Sequence, residues 1–223
     1  MKVHSLGECY RKGNPHYDQR STVPAIVDVT TGAVVNNDYH DLTTELETAW
    51  KKYFRPDAPD LYPEALHDDI DALNDIIYAD VNLAVNLAAL VTSQKDYEFY
   101  YNKVFDRLDW LEKRLSSRRY LFGDTITDPD IRLYVTLARF DLVFYQKYYV
   151  NKKRLVDYPN LWNYAKDLYS HPAFGKNTDF DSMRKRFYYV DHTPFEDFPR
   201  IVPKGPDMSI WEEPNDRAAK FAK

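Results

Sequence analysis

Few residues in this 223-residue chain have the type and spacing for covalent chemistry. Cys9 is the lone thiol, set in Gly7-Glu8-Cys9-Tyr10-Arg11-Lys12. A reactive thiolate needs a helix N-terminus or a nearby cation to hold its pKa down. Cys9 instead sits mid-segment beside Glu8, so it is either a redox group or, the simpler reading, incidental. His4, His16, His40, His67, His171 and His192 are scattered without ligand spacing, which predicts no metal site. Asp68-Asp69 with Asp71 reads as a solvated helix face. No nucleophile elbow, phosphate loop or Gly-rich dinucleotide turn is present.

Two constellations suit binding better than catalysis. Asn37-Asp38-Tyr39 follows a strand and precedes a helix, where backbone N–H groups and the positive dipole end favour an anion. An amino-acid-like ligand suits this spot, its carboxylate meeting the hydroxyl and N–H groups and its ammonium meeting Asp38. The competing reading is that Asp38 is simply the helix cap. Tyr145, Tyr148, Tyr149, Tyr188 and Tyr189 either line a pocket for an aromatic substrate or pack the fold or a dimer interface.

The elements that must position these residues follow from periodicity. Val23 to Val29 reads as a strand, Thr30-Thr31-Gly32 as a turn and Ala33 to Asn36 as a returning strand, which together make a hairpin. Pro24 lacks an N–H, so the first strand opens at a start or edge. Leu42, Leu46, Ala49, Trp50 and Tyr53 then recur at helical spacing. A linker at Arg55–Pro59 separates this ββα unit from a run of helices: Tyr62 to about Leu90, Tyr97 to Leu115, a helix opened by Thr127-Asp128-Pro129-Asp130, one from Pro159 to His171, and a short one from Phe180 to Tyr189. In the third, Thr127 is the N-cap and Asp130 its reciprocal partner. That helix is apolar on most faces and should be the central buried one. Residues 190–223, with five prolines, read as an irregular tail, frayed beyond Trp211.

Composition narrows the class further. Apolar residues make up 44% and charged residues 29%, as in an ordinary globular protein. A net charge of −5 with no basic stripe argues against nucleic acid. No apolar window is long enough for a membrane span, and the start lacks an apolar signal core. One cysteine fits a reducing cytoplasm.

The chain resembles the Xi-class glutathione transferases, the glutathionyl-hydroquinone reductases, from about Tyr10 to Pro206. The resemblance rests on Thr22-Val23-Pro24, Val34-Val35-Asn36-Asn37-Asp38, Asp60-Leu61-Tyr62-Pro63, Leu108-Asp109-Trp110-Leu111-Glu112, Tyr120-Leu121-Phe122-Gly123-Asp124, Arg139-Phe140-Asp141, Asp157-Tyr158-Pro159-Asn160-Leu161-Trp162 and Ile201-Val202-Pro203-Lys204-Gly205-Pro206. It implies an α+β, mainly α fold: a partial thioredoxin-like ββα unit over residues 1–56, then an all-α glutathione-transferase bundle over 57–223. It implies a cis Pro24, and glutathione as co-substrate held by Val23, Pro24, Asp38 and Tyr39. It implies a quinone-like aromatic near Tyr188, Tyr189, Phe144 and Asn86. Members of the class use a Cys-Pro-Trp-Ala cysteine to take the glutathionyl group from a glutathionyl-hydroquinone as a mixed disulfide, which a second glutathione releases. That motif is missing here, and the space before Val23 is too short for the βαβ unit that carries it, so no catalytic residue is assigned. Asp38-Tyr39 stands where the class has Glu-Ser. Asn86 stands where it has a tyrosine, and Phe144 lacks a hydroxyl that the class carries. Two functions remain open: a glutathione-dependent thiol transferase or reductase without its cysteine segment, or a non-catalytic helical scaffold that binds a ligand or partner. Either is expected to be a homodimer, because an open hairpin edge and a bare apolar face invite association.

Overall fold

The computed structural model describes residues 3–188 and 201–222. The chain forms two compact units, Met1–Tyr62 and Pro63–Lys223.

In the first unit, helix α1 (Leu6–Gly13) buries Cys9 and Tyr10. Strands β1 (Ile26–Val27) and β2 (Val34–Asn36) pair antiparallel, Ile26 opposite Asn36 and Val27 opposite Val34. The first strand is shorter than its apolar run because Pro24 has no N–H for the ladder. The turn closes on Asp28, whose carboxylate accepts from Thr30 N (2.8 Å) and Thr31 Oγ1 (3.1 Å). Gly32 follows at φ +72°, which glycine adopts without a Cβ clash. Helix α2 (Leu42–Thr48) stops short of the expected Tyr53, and Lys51–Tyr53 winds into a separate 3₁₀ turn. Trp50 and Tyr53 are exposed, so no packed apolar face carries the helix onward.

The second unit is helical. The expected helix from Tyr62 to Leu90 is interrupted: α3 (His67–Ile77) runs into a π-turn at Tyr78–Asn82 before α4 (Ala84–Leu90). Leu83 N bonds Tyr78 O at 2.8 Å, five residues back, which defines the bulge. Periodicity alone does not show such an insertion, because apolar positions continue on both sides. Its effect is to aim Asn82, whose Nδ2 donates to Arg132 O (3.0 Å) and Thr136 Oγ1 (2.5 Å).

Helix α5 (Gln94–Leu115) starts at Ser93, whose Oγ accepts from Asp96 N. Helix α6 (Asp128–Arg139) opens with the Thr127–Asp130 capping box and is the buried central helix that the sequence predicts. Asp130 accepts from Leu121 N (3.0 Å), Thr127 N (2.8 Å) and the Tyr164 hydroxyl (2.7 Å), so one interior carboxylate ties the loop, the cap and a neighbouring helix. A second π-turn, Phe140–Phe144, leads to α7 (Tyr145–Lys147). Helix α8 (Pro159–Ser170) borrows its cap from α5: Glu112 accepts from Asn160 N (2.9 Å) and Leu161 N (2.8 Å). Then come α9 (Pro172–Gly175), α10 (Phe180–Tyr188) and, near the end, α11 (Arg217–Lys220). Ile77, Val81, Phe105, Leu108, Leu133, Leu137 and Phe140 lie in one shared core.

The tail departs from expectation beyond Trp211. Trp211 is buried, with its ring near those of Trp162 (5.0 Å) and Tyr169 (5.7 Å). Arg217 is buried as well, and its guanidinium donates to the carbonyls of Leu115 (2.9 Å), Arg118 and Arg119. Leu115 O is one of the carbonyls that the end of α5 leaves open, while Arg118 and Arg119 lie in the loop beyond it. The segment is therefore a clasp; a scan for apolar periodicity misses it because its anchors are an arginine and a tryptophan.

Candidate functional site

The first-unit candidate is the corner before β1. The Val23–Pro24 peptide is cis, as the resemblance implies. Tyr10 on α1 donates its hydroxyl to Thr22 O at 2.9 Å, and its ring stacks on Tyr17 at 4.5 Å, which holds the chain leading into the corner. Val23 is 80% exposed, and its N–H and C=O make no hydrogen bond among the described residues. An exposed backbone with both groups unbonded beside a proline can pair with an extended ligand as one strand of a ladder.

At the other end of the hairpin, Asp38 closes the turn before α2, whose N-cap position is Asp41. Asp38 Oδ1 accepts from His40 N (2.8 Å) and Asp41 N (3.2 Å), and the Asp38 N–H goes to Asn36 Oδ1 (2.8 Å). Asp38 is therefore a turn-former ahead of the helix and not its N-cap, and three amides that would cradle an anion are engaged internally. Tyr39 is 44% exposed. Cys9 is 2% exposed inside α1.

The second-unit residues separate. Phe144, in the π-turn, is buried and packs by ring contact on Phe187 (6.0 Å) and Tyr148 (5.4 Å). Tyr188 ends α10 beside them. Its buried hydroxyl has no hydrogen-bond partner among the described residues, burial pushes its pKa up, and the Lys147 ammonium lies 5.4 Å from its ring centroid. Arg184 Nε, one helical turn earlier, is another buried donor without a partner among the described residues. Asn86 lies on α4, where its Nδ2 donates to Asn82 O at 2.7 Å. Tyr189 lies outside the described residues. Tyr145 lines a cavity of about 180 Å³ with Asp141, Arg154 and Trp211. Tyr149 is exposed at φ +58°, its carbonyl accepting from the Tyr97 hydroxyl at 2.7 Å. Of the four described tyrosines, only Tyr145 lines that cavity.

Sequence reasoning missed Tyr10, Arg184 and Asp141. Asp141 receives Leu155 N (2.6 Å) and Val156 N (3.3 Å), while burial raises its pKa. The Arg139-Phe140-Asp141 run marked it only as part of a motif. Among the described residues, no cluster of three or more His, Cys, Asp or Glu could hold a metal, and no helix is long and apolar enough to cross a membrane.

A Val-Pro corner on a thioredoxin-like hairpin, joined to an all-α unit around a capped central helix, defines a glutathione transferase. Comparison with known proteins agrees. Residues 94–167 match the family model for the glutathione S-transferase C-terminal domain. Glutathionyl-hydroquinone reductase YqjG of Escherichia coli (strain K12) is 36% identical over 216 residues, covering 97% of this chain and 65% of the relative. The glutathione-bound structure of YqjG superposes with a TM-score of 0.89 at 35% identity, over 97% of this chain and 69% of that one. A glutathione transferase from Gordonia bronchialis gives 0.90 at 42% identity, over 96% and 66%. Glutathione transferase Xi 1 from Trametes versicolor gives 0.85 at 36% identity, over 92% and 70%. The chain belongs to the Xi class of glutathione transferases, the family of the glutathionyl-hydroquinone reductases. It spans about two thirds of the length of the curated relatives it matches.

Proposed function

We propose that the protein acts in glutathione-dependent thiol transfer or reduction of the glutathionyl-hydroquinone reductase type. The observation that carries this reading is the Val23 backbone, exposed beside Pro24, its N–H and C=O without a hydrogen bond among the described residues. That peptide would pair with the cysteinyl part of glutathione, with Asp38 and Tyr39 at its γ-glutamyl end. Tyr188 and Tyr189, with Phe144 and Asn86, would face a quinone-like aromatic. No residue of this chain is assigned as the nucleophile, since the lone Cys9 is buried in α1.

A second reading, a non-catalytic scaffold that binds a ligand or partner, is favoured by Cys9's burial and by Phe144's packing into the interior. The reading further includes a homodimer in a reducing cytoplasm. Its support is the exposed apolar surface of the first unit: Val23, Val35, Leu46, Trp50, Tyr53 and Phe54.

Calorimetry with reduced glutathione, followed by turnover with a glutathionyl-hydroquinone, separates these readings. Saturable binding with turnover supports the first and binding alone supports the scaffold. A chain that does not bind glutathione overturns the glutathione reading.

A further inference from the structure

A second cavity in the helical unit, about 250 Å³, is used by nothing described above. Its apolar lining is Ile131, Val135 and Ala138, spaced along one face of α6, with Phe174 on α9 and Met183 of α10, and Asn177, whose Nδ2 donates to Ala173 O at 2.8 Å, also lines it. None of Asn86, Phe144 and Tyr188 lines it. Its size falls just under the ~300–1,000 Å³ of drug-sized sites, so it suits a single ring.

The polar groups select the ligand. Tyr134 is 5% exposed, and its Oη lies 2.8 Å from Thr178 Oγ1. Thr178 has one hydroxyl proton, and it goes to Phe174 O at 2.9 Å. Tyr134 must therefore donate to Thr178, which leaves its own oxygen as an acceptor with no other donor among the described residues. Burial pushes the Tyr134 pKa up to about 12, so it stays a neutral hydroxyl near pH 7. Arg139, also at the cavity, turns its guanidinium back to Val135 O within its own helix. An apolar slot whose buried polar handle accepts a hydrogen bond matches an uncharged ring bearing an O–H.

We propose that this cavity binds a small single-ring phenol, its ring between Val135 and Phe174 and its hydroxyl donating to Tyr134 Oη. The site is independent of the glutathione reading. It needs neither the Val23 peptide nor a thiol.

The test is ¹⁹F NMR titration of the full chain with 4-fluorophenol, fluorobenzene and 4-fluorobenzoate. We expect 4-fluorophenol to saturate the protein at millimolar concentration or below and to bind roughly two- to tenfold tighter than fluorobenzene, the value of one hydrogen bond. Tyr134→Phe should erase that preference. Ala173→Trp, placed on an exposed lining residue, should block both ligands without disturbing the core. Saturating glutathione should leave 4-fluorophenol bound. The proposal is overturned by no saturable 4-fluorophenol binding, by equal affinity for fluorobenzene, by tighter binding of the benzoate, by binding that survives Ala173→Trp, or by displacement with glutathione. A chain that takes 4-fluorophenol but not glutathione would remove the proposed function and leave this site standing.

Discussion

The hydroxyl of Tyr10 donates to the carbonyl of Thr22 at 2.9 Å, one residue ahead of the Val23–Pro24 peptide. Helix α1 thus anchors the corner whose backbone is proposed to meet glutathione. The aromatic body of Tyr10 is buried against Tyr17 of the loop, and its hydroxyl reaches Thr22.

Tyr10→Phe removes that bond while keeping the ring and its stack on Tyr17. The expected stability loss is about 0.5–1.5 kcal/mol by urea denaturation. Glutathione affinity should fall about two- to tenfold in calorimetry, because the Val23 peptide is less well held. Unchanged affinity would show that α1 does not set the corner.

Arg217 supplies a second prediction. Arg217→Met keeps apolar bulk but leaves the carbonyls of Leu115, Arg118 and Arg119 buried without their donor. Each bare group costs about 1–3 kcal/mol. A total near 3 kcal/mol should lower Tm by roughly 6–12 °C for a chain of this size. Arg217→Lys, with one point charge in place of a fork, should recover only part of it. A Tm within 2 °C of the parent, on the order of the shift from a single kcal/mol, would refute the clasp.

Much of this architecture was legible in the sequence, and what was not has identifiable causes. The hairpin, the α6 capping box and the central helix follow from local chemistry: Thr30-Thr31-Gly32, Thr127 with Asp130, and an apolar run. The π-turns at Tyr78–Asn82 and Phe140–Phe144 were hidden, because one inserted residue rotates a helical face without breaking it. The clasp was hidden because Arg217 and Leu115 are paired across 102 positions. Site legibility was uneven for a similar reason. The Val-Pro corner is a local signal, whereas the partners of Phe144 and Tyr134 come from α10 and α9.

Asp141 carries a pH prediction. Burial raises its pKa above the ordinary 3.8, and the amides of Leu155 and Val156 offset only part of that. The folded state therefore holds the proton to higher pH than the unfolded state. The group's contribution to stability is full below about 3.8 and is lost as pH rises through the elevated folded value. Asp141→Asn, which cannot ionise, should lack this decline. The stability gap between parent and variant, followed by urea denaturation from acid to neutral pH, should shift in the variant's favour as pH rises. A parallel pair of curves would contradict the assignment.

Asp38 separates turn closure from ligand recognition, because the two roles need different chemistry. Turn closure needs only an oxygen that accepts from His40 N and Asp41 N, and asparagine offers one about as well as aspartate does. Gripping the ammonium of a γ-glutamyl group needs the negative charge. Asp38→Asn should therefore leave stability within about 0.5 kcal/mol, the range of a neutral surface change. If the carboxylate meets the ammonium, glutathione affinity should drop about tenfold or more, since hydrogen bonds to charged groups contribute about 1.5–3 kcal/mol. Asp38→Ala should lose both, adding about 0.5–1.5 kcal/mol of destabilisation from the missing turn hydrogen bonds. Calorimetry on the two variants reads the distinction directly: equal glutathione affinity in Asp38→Asn and the parent would confine Asp38 to the turn before α2 and move recognition of the γ-glutamyl end elsewhere.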